Sequence, residues 1–347
     1  MRFPRLRISL RSFLITTTIS AAVIGLLVHR HLSERHAESQ LVANGLSVSF
    51  EPWGADGQYW AYDQAVERQE AFKTFMGRMR WRFFRHAKRV DVPSSAQLSD
   101  DPGNIGDDSL APLVDLRHVE ILNLSFQPVS DEGLAHLRNL RSLKDINLCW
   151  TRITDDGLSK LTVLPNLEYL AIEFTETTDV GLEHVSKLRK LRHIAMMETQ
   201  IKGLGLKHLG GLTRLESIGI SNTSIQSRHL RHLTGLKNLK SLYLANTDID
   251  DSAATHIAKL KSLETLRVDN TNVGDDFISG ISSLPNLDNL SVTGTQITKA
   301  SEKVVCGFPK LEQFYAYDTA IGDDALYRIG AFTRANAQSR YNRRAND

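Results

Sequence analysis

The stretch IKGLGLKHLGGLTRLESIGISNTSI, residues 201–225, decides the fold. Its apolar residues are Ile201, Leu206, Leu209, Leu212, Leu215, Ile218 and Ile220, followed by Thr223 and by Ile225, where the same order begins again 24 residues on. Stepping outward by that interval runs from Ile105 through Val129, Ile153, Thr177, Ile201, Ile225, Ile249, Val273 and Ile297 to Ile321, nine blocks without an insertion. A fixed period in this range is the signature of a solenoid.

The two halves of a block carry different periods. Ile218 and Ile220 lie two apart, as on a strand with one face buried, while Leu206, Leu209 and Leu212 lie three apart, as on one stripe of a short helix. One block is therefore a strand plus a helical turn or two. It cannot bury its own apolar edge, so neighbours must stack, aligning the strands in parallel and joining the leucines into one core.

The pattern L-x-x-L-x-L-x-x-T-x-I over 105–332 resembles leucine-rich repeats, with Thr where many members carry Asn or Cys. The resemblance implies an α/β, right-handed solenoid with its parallel sheet on the concave face, and binding by that face; bacterial membrane-anchored members of the family are the nearest in style. The Thr column runs through Thr151, Thr175, Thr199, Thr223, Thr247, Thr271, Thr295 and Thr319, and a hydroxyl at each corner can satisfy backbone groups left unpaired there. Asp107, Asp131, Asp155, Asp179, Asp251, Asp275 and Asp323 stand just before the helical stripe, where an N-cap is expected. The doublets Asp107–Asp108, Asp155–Asp156 and Asp275–Asp276 lack the glycine and terminal glutamate of a calcium loop.

The repeats leave four regions: a cytoplasmic amino terminus and membrane anchor over 1–30, a small α+β cap over 31–104, the solenoid over 105–332 and a polar, frayed tail over 333–347. Arg2, Arg5, Arg7 and Arg11 precede an uncharged stretch at 12–28, whose 17 residues reach the lower limit for a single transmembrane helix. The arginines keep the amino terminus in the cytoplasm and send the repeats across an inner or plasma membrane. Retention as a signal anchor and cleavage as a signal peptide both export them. Within the cap we expect a helix over 37–43, a strand over 46–50, a helix over 62–85 and an entry strand over 90–92. Cys149 and Cys306 fall in different phases seven blocks apart, roughly 30 Å at the usual strand spacing, too far for a disulfide. Glu302, where leucine is usual, marks an atypical last repeat.

A net charge of +2 implies no global attraction to nucleic acid. No glycine-rich phosphate loop, zinc-protease motif or nucleophile elbow occurs, so we expect neither an enzyme nor a cofactor. His136, His184, His208, His232 and His256 share one phase, but parallel side chains do not converge on a metal. Basic residues interleaved with aromatics over 73–89 fit either anionic lipid contact or packing on the first repeat.

The binding surface is expected on the strand residues that alternate with the core. Asp145, Asn147 and Cys149 belong to it, then Tyr169, Ala171, Glu173, His193, Ala195 and Met197, later Tyr243, Arg267 and Asp269, and finally Gln313, Tyr315 and Tyr317. Just past the strands, a position filled by Asn222, Asn246, Asn270, Gly294 and Asp318 is aromatic at Phe126, Trp150 and Phe174. Such a ladder suits the apolar anchor of a protein partner, the rings of an envelope polysaccharide, or packing beneath the cap. The expected function is non-catalytic binding of a protein partner, with carbohydrate or envelope-polymer binding as the alternative.

Overall fold

The computed structural model describes residues 33–34, 36–49, 88–91 and 105–344. The expected anchor at 12–28, the helix over 62–85 and the basic segment up to residue 87 lie outside these. Among the described residues no helix is long and apolar enough to cross a membrane.

The strands form one 11-stranded sheet in chain order. They are β1 (Ser47–Ser49), β2 (Arg89–Asp91), β3 (Ile121–Asn123), β4 (Asp145–Asn147), β5 (Tyr169–Ala171), β6 (His193–Ala195), β7 (Ser217–Gly219), β8 (Ser241–Tyr243), β9 (Thr265–Arg267), β10 (Asn289–Ser291) and β11 (Gln313–Tyr315). From β2 onward every pairing is parallel, and equivalent residues of successive repeats face each other, as Ile194 faces Ile218. The cap joins by its edge: residues 36–43 are helical, and β1 runs antiparallel to β2. The entry strand begins one residue earlier than its valines suggest.

A single core follows the leucine columns from Ala37 to Ile329. Each block returns through a short α- or 3-10 helix, such as Asp155–Leu161 or Leu204–His208, so the expected helical turn or two is present. All eight hydroxyls of the Thr column donate to the carbonyl three residues back, from Thr151 to Leu148 O at 2.6 Å through Thr319 to Ala316 O at 2.8 Å. A buried corner carbonyl thus keeps its partner in every repeat.

The aspartate column does something other than cap its own helix. Asp131 accepts from Thr154 N at 2.9 Å and Thr154 Oγ1 at 2.6 Å, and Asp155 holds Thr178 in the same way at 2.8 and 2.6 Å. Asp107 clamps Ser130 and Asp275 clamps Thr298 identically. The caps are the residues one position earlier, as Thr154 Oγ1 accepts from Asp156 N. Each carboxylate therefore ties its repeat to the next with charge-assisted bonds, the stronger class of hydrogen bond. The column is interrupted at Gly203, Ser227 and Lys299; at Ser227 the polarity reverses, since Asp250 accepts from Ser227 Oγ at 2.7 Å.

This clamp explains the glycine two residues after Asp131, Asp155 and Asp179. A Cβ at Gly133, Gly157 or Gly181 would collide with the carboxylate of the preceding repeat. Glycine to alanine in a helix interior ordinarily stabilises by about 0.5–1 kcal/mol. At Gly157 the sign should reverse, because the new methyl displaces Asp131 and meets Ile153 Cγ2 at 2.8 Å. We expect Gly157→Ala to destabilise by about 1–3 kcal/mol, whereas Gly211→Ala, where the nearest atom is 3.4 Å away, should not. Equal denaturant midpoints for the two variants would remove the steric account.

At the carboxyl end the expected frayed tail is corrected. Asp323–Arg344 is one helix, and Ala325 and Ile329 complete the core. Glu302, in the atypical last repeat, pairs with Arg328 of that helix, whose Nη2 lies 2.6 Å from Glu302 Oε2.

Candidate interaction surface

The surface is set by a corner that the sheet imposes. Immediately past each strand the chain adopts a positive φ, at Phe126, Trp150, Phe174, Glu198, Asn222, Asn246, Asn270, Gly294 and Asp318, with values between 53° and 66°. In that conformation the amide continues the parallel ladder: Trp150 N donates to Glu173 O at 3.0 Å, and Asn246 N to Asp269 O at 2.8 Å. Glycine, Asn and Asp tolerate the left-handed region; other L-residues carry a penalty of about 1–2 kcal/mol. The five carboxyl-terminal corners obey that preference and the four amino-terminal ones do not.

The three aromatic corners are displayed. Phe126, Trp150 and Phe174 are 51%, 50% and 39% exposed. Their rings form one stack, with centroids 5.9 Å apart between Phe126 and Trp150 and 4.0 Å between Trp150 and Phe174, and interplanar angles of 14° and 13°. Stacking returns about 0.5–1.5 kcal/mol per pair, comparable to the backbone penalty and no greater.

Around the stack, Tyr169 is exposed and tilts against His193 at 6.3 Å, while Glu173 and Met197 are half-buried. Cys149, expected on the open face, is buried instead. The Glu173 side chain of the next repeat lies over it, with Sγ donating to Oε2 at 3.1 Å. Burial, reinforced by the neighbouring carboxylate, pushes the thiol up to about 12. Both cysteines are free. Burial, with Glu168 close by, also raises Asp145 from its ordinary value.

The remaining expected residues form other groups. Arg267 is exposed and lies over the Tyr243 ring at 5.9 Å. Asp269 accepts from Ser291 Oγ and from Thr293 N at 2.9 Å, a structural role. At the far end Tyr315 donates to Gln313 Oε1 at 3.1 Å and Tyr317 is exposed. Seven repeats separate Trp150 from Tyr317, roughly 34 Å at the usual strand spacing. The expected residues are therefore three patches and not one site. Missing from the expectation are Glu198, the fourth rung of the corner column, and Glu176, exposed two residues past Phe174; the 24-residue step from Phe174 locates the first.

A second column lies on the strand-entry edge. Glu120 joins Lys88 and Lys144, and Arg192 joins Glu216 at 2.6 Å and Glu168 at 3.8 Å, with Lys240 reaching Glu216 at 3.5 Å. These charges neutralise one another within the chain. The histidine column is half-buried, and among the described residues no group of His, Cys, Asp or Glu is arranged to hold a metal ion.

No family model and no curated protein sequence matches the chain. Among solved structures, an internalin from Listeria monocytogenes is similar with a TM-score of 0.50 and 23% identity over 65% of this chain and 68% of that one. Internalin C2 of the same organism gives 0.46 and 27% over 55% and 76%. The leucine-rich repeat ectodomain of the Arabidopsis receptor kinase HAESA, solved with a peptide hormone ligand, gives 0.49 and 17% over 62% and 36%. The likeness to the first concerns the fold, and it agrees with the register and core described above: this chain has the fold of a leucine-rich repeat solenoid.

Proposed function

We propose that the chain is a non-catalytic binding module whose open sheet face takes a protein partner, with the Phe126, Trp150 and Phe174 stack as the apolar anchor. The observation that carries this reading is the placement of three large aromatic side chains, exposed, on corners where the fold favours asparagine. Strain retained at a surface position points to a role outside folding. Trp and Tyr dominate protein interfaces when a neighbouring rim excludes water, and Tyr169 and Met197 flank the stack.

Ring geometry favours a protein over a polysaccharide. Sugars stack on aromatic faces, but within 13–14° of parallel these rings spend both faces of Trp150 and the inner faces of Phe126 and Phe174 on each other, so the ridge presents mainly edges. An apolar ridge of edges fits a groove or a side-chain anchor of a partner. The uncharged stretch at 12–28 behind Arg2, Arg5, Arg7 and Arg11 supports placing this face on the outer side of a membrane.

A photo-crosslinking residue at Arg152, exposed beside Trp150, tests the proposal in cells carrying the full chain. Protein adducts are expected at 152 and none at Lys259, exposed on the helical side. Absence of protein adducts at 152, or Trp150-dependent retention on cell-wall polysaccharide instead, would overturn it.

A further inference from the structure

We infer that the partner docks through a basic segment, seating a guanidinium between the outer ring face of Phe174 and the carboxylate of Glu198. This rests on the reading of the face as a protein-binding surface and adds the chemistry of what binds.

Phe174 is the last ring of the stack. Trp150 covers one of its faces, so the other turns toward the next rung, which is Glu198. The two are tied as neighbours, since Phe174 N donates to Met197 O at 3.1 Å. Glu176 stands two residues beyond Phe174 and is also exposed. A ring face backed by a carboxylate attracts a cation twice, through the ring quadrupole and through charge, and a planar guanidinium satisfies both.

Charge complementarity singles out a basic occupant. Asp145, Glu173, Glu176 and Glu198 line β4 to β6 and their corners, against Arg152 as the single lysine or arginine there. In a chain of net charge +2 this face is locally acidic. At the strand-entry edge Glu120, Glu168 and Glu216 are neutralised by their own Lys and Arg neighbours, yet no ion pair among the described residues involves Glu176 or Glu198. Their charge is available to a visitor. Glu198 also occupies a positive-φ corner that disfavours it, so the carboxylate is kept there at the same kind of cost as the rings.

Calorimetric titration of the full chain with hexa-arginine tests the seat. Glu198→Gln should weaken binding about tenfold, whereas Glu264→Gln, an exposed acid at the entry edge of β9, should leave it unchanged. No binding to the parent chain, or equal affinities for the three proteins, would overturn the inference. Crosslinking at Arg152 separates the two failures. Adducts that form without hexa-arginine binding leave a protein-binding face whose partner is not basic; absence of adducts removes the face itself.

Discussion

Phe277→Ala should cost about 3–5 kcal/mol, the range for an aromatic ring deleted from a closed core. Its position in the repeat argues the other way, which makes the outcome informative. The equivalent residues are Ser109, Gly133, Gly157, Gly181, Gly205, His229, Ala253, Ser301 and Ala325, small everywhere except His229, so averaging over repeats would rank alanine as an improvement. Phe277 is nonetheless fully buried, in a block where Gly274 has replaced the capping hydroxyl and leaves Asp251 with Gly274 N as its partner at 2.6 Å. Removing the ring opens a cavity that a stacked repeat cannot close without shifting its neighbours. Because stability in a solenoid is nearest-neighbour in character, the loss should spread locally. Hydrogen exchange should accelerate in β10, β11 and the terminal helix while β3 to β7 keep their protection. A midpoint shift under about 1 kcal/mol, far below the deletion range, would show that this block packs as its relatives do.

What could be read from residues alone follows the same line between column and exception. Period and alternation place every strand from β3 onward, and the Thr corner behaves as its chemistry requires. The aspartates were legible as a column and misread in role, because a local reading attaches a carboxylate to the helix it precedes. Its partner stands 23 residues ahead, at Ser130, Thr154, Thr178 or Thr298, and only the closeness of stacked repeats brings the two together. The glycine of four successive blocks, Gly133, Gly157, Gly181 and Gly205, was the available signal, since a residue obliged to lack a side chain reports something pressed against it. Cys149 was assigned to the open face by alternation, which fixes the direction of a side chain but not what the next repeat lays over it. The tail beyond Phe332 is polar enough to read as loose, while Ala325 and Ile329 at its root bury against the last repeat and start the helix. Positive φ at the corner was implicit in Asn222, Asn246 and Asn270; the aromatic rungs concealed that they occupy the same conformation.

That conformation yields the sharpest functional prediction. Trp150→Asn should leave the fold within about 1–2 kcal/mol of the parent: relief of a left-handed aromatic returns about 1 kcal/mol, against the loss of two stacked pairs at about 0.5–1.5 kcal/mol each. Asn222, Asn246 and Asn270 already hold this corner three times in the same sheet, so the replacement is native to the architecture. Crosslinking from position 152 should nevertheless fall at least thirtyfold, since a central interface Trp is worth about 2 kcal/mol or more. Stability and binding thus part at one residue. Thermal unfolding and adduct yield, measured on the same preparation, check both halves. Were Trp150→Asn to unfold the amino-terminal repeats, the stack would be holding the structure together, and its exposure would have to be explained without a partner. Were it to leave both stability and adducts intact, the anchor would lie elsewhere on the face, with Tyr169 and Met197 the next residues to remove.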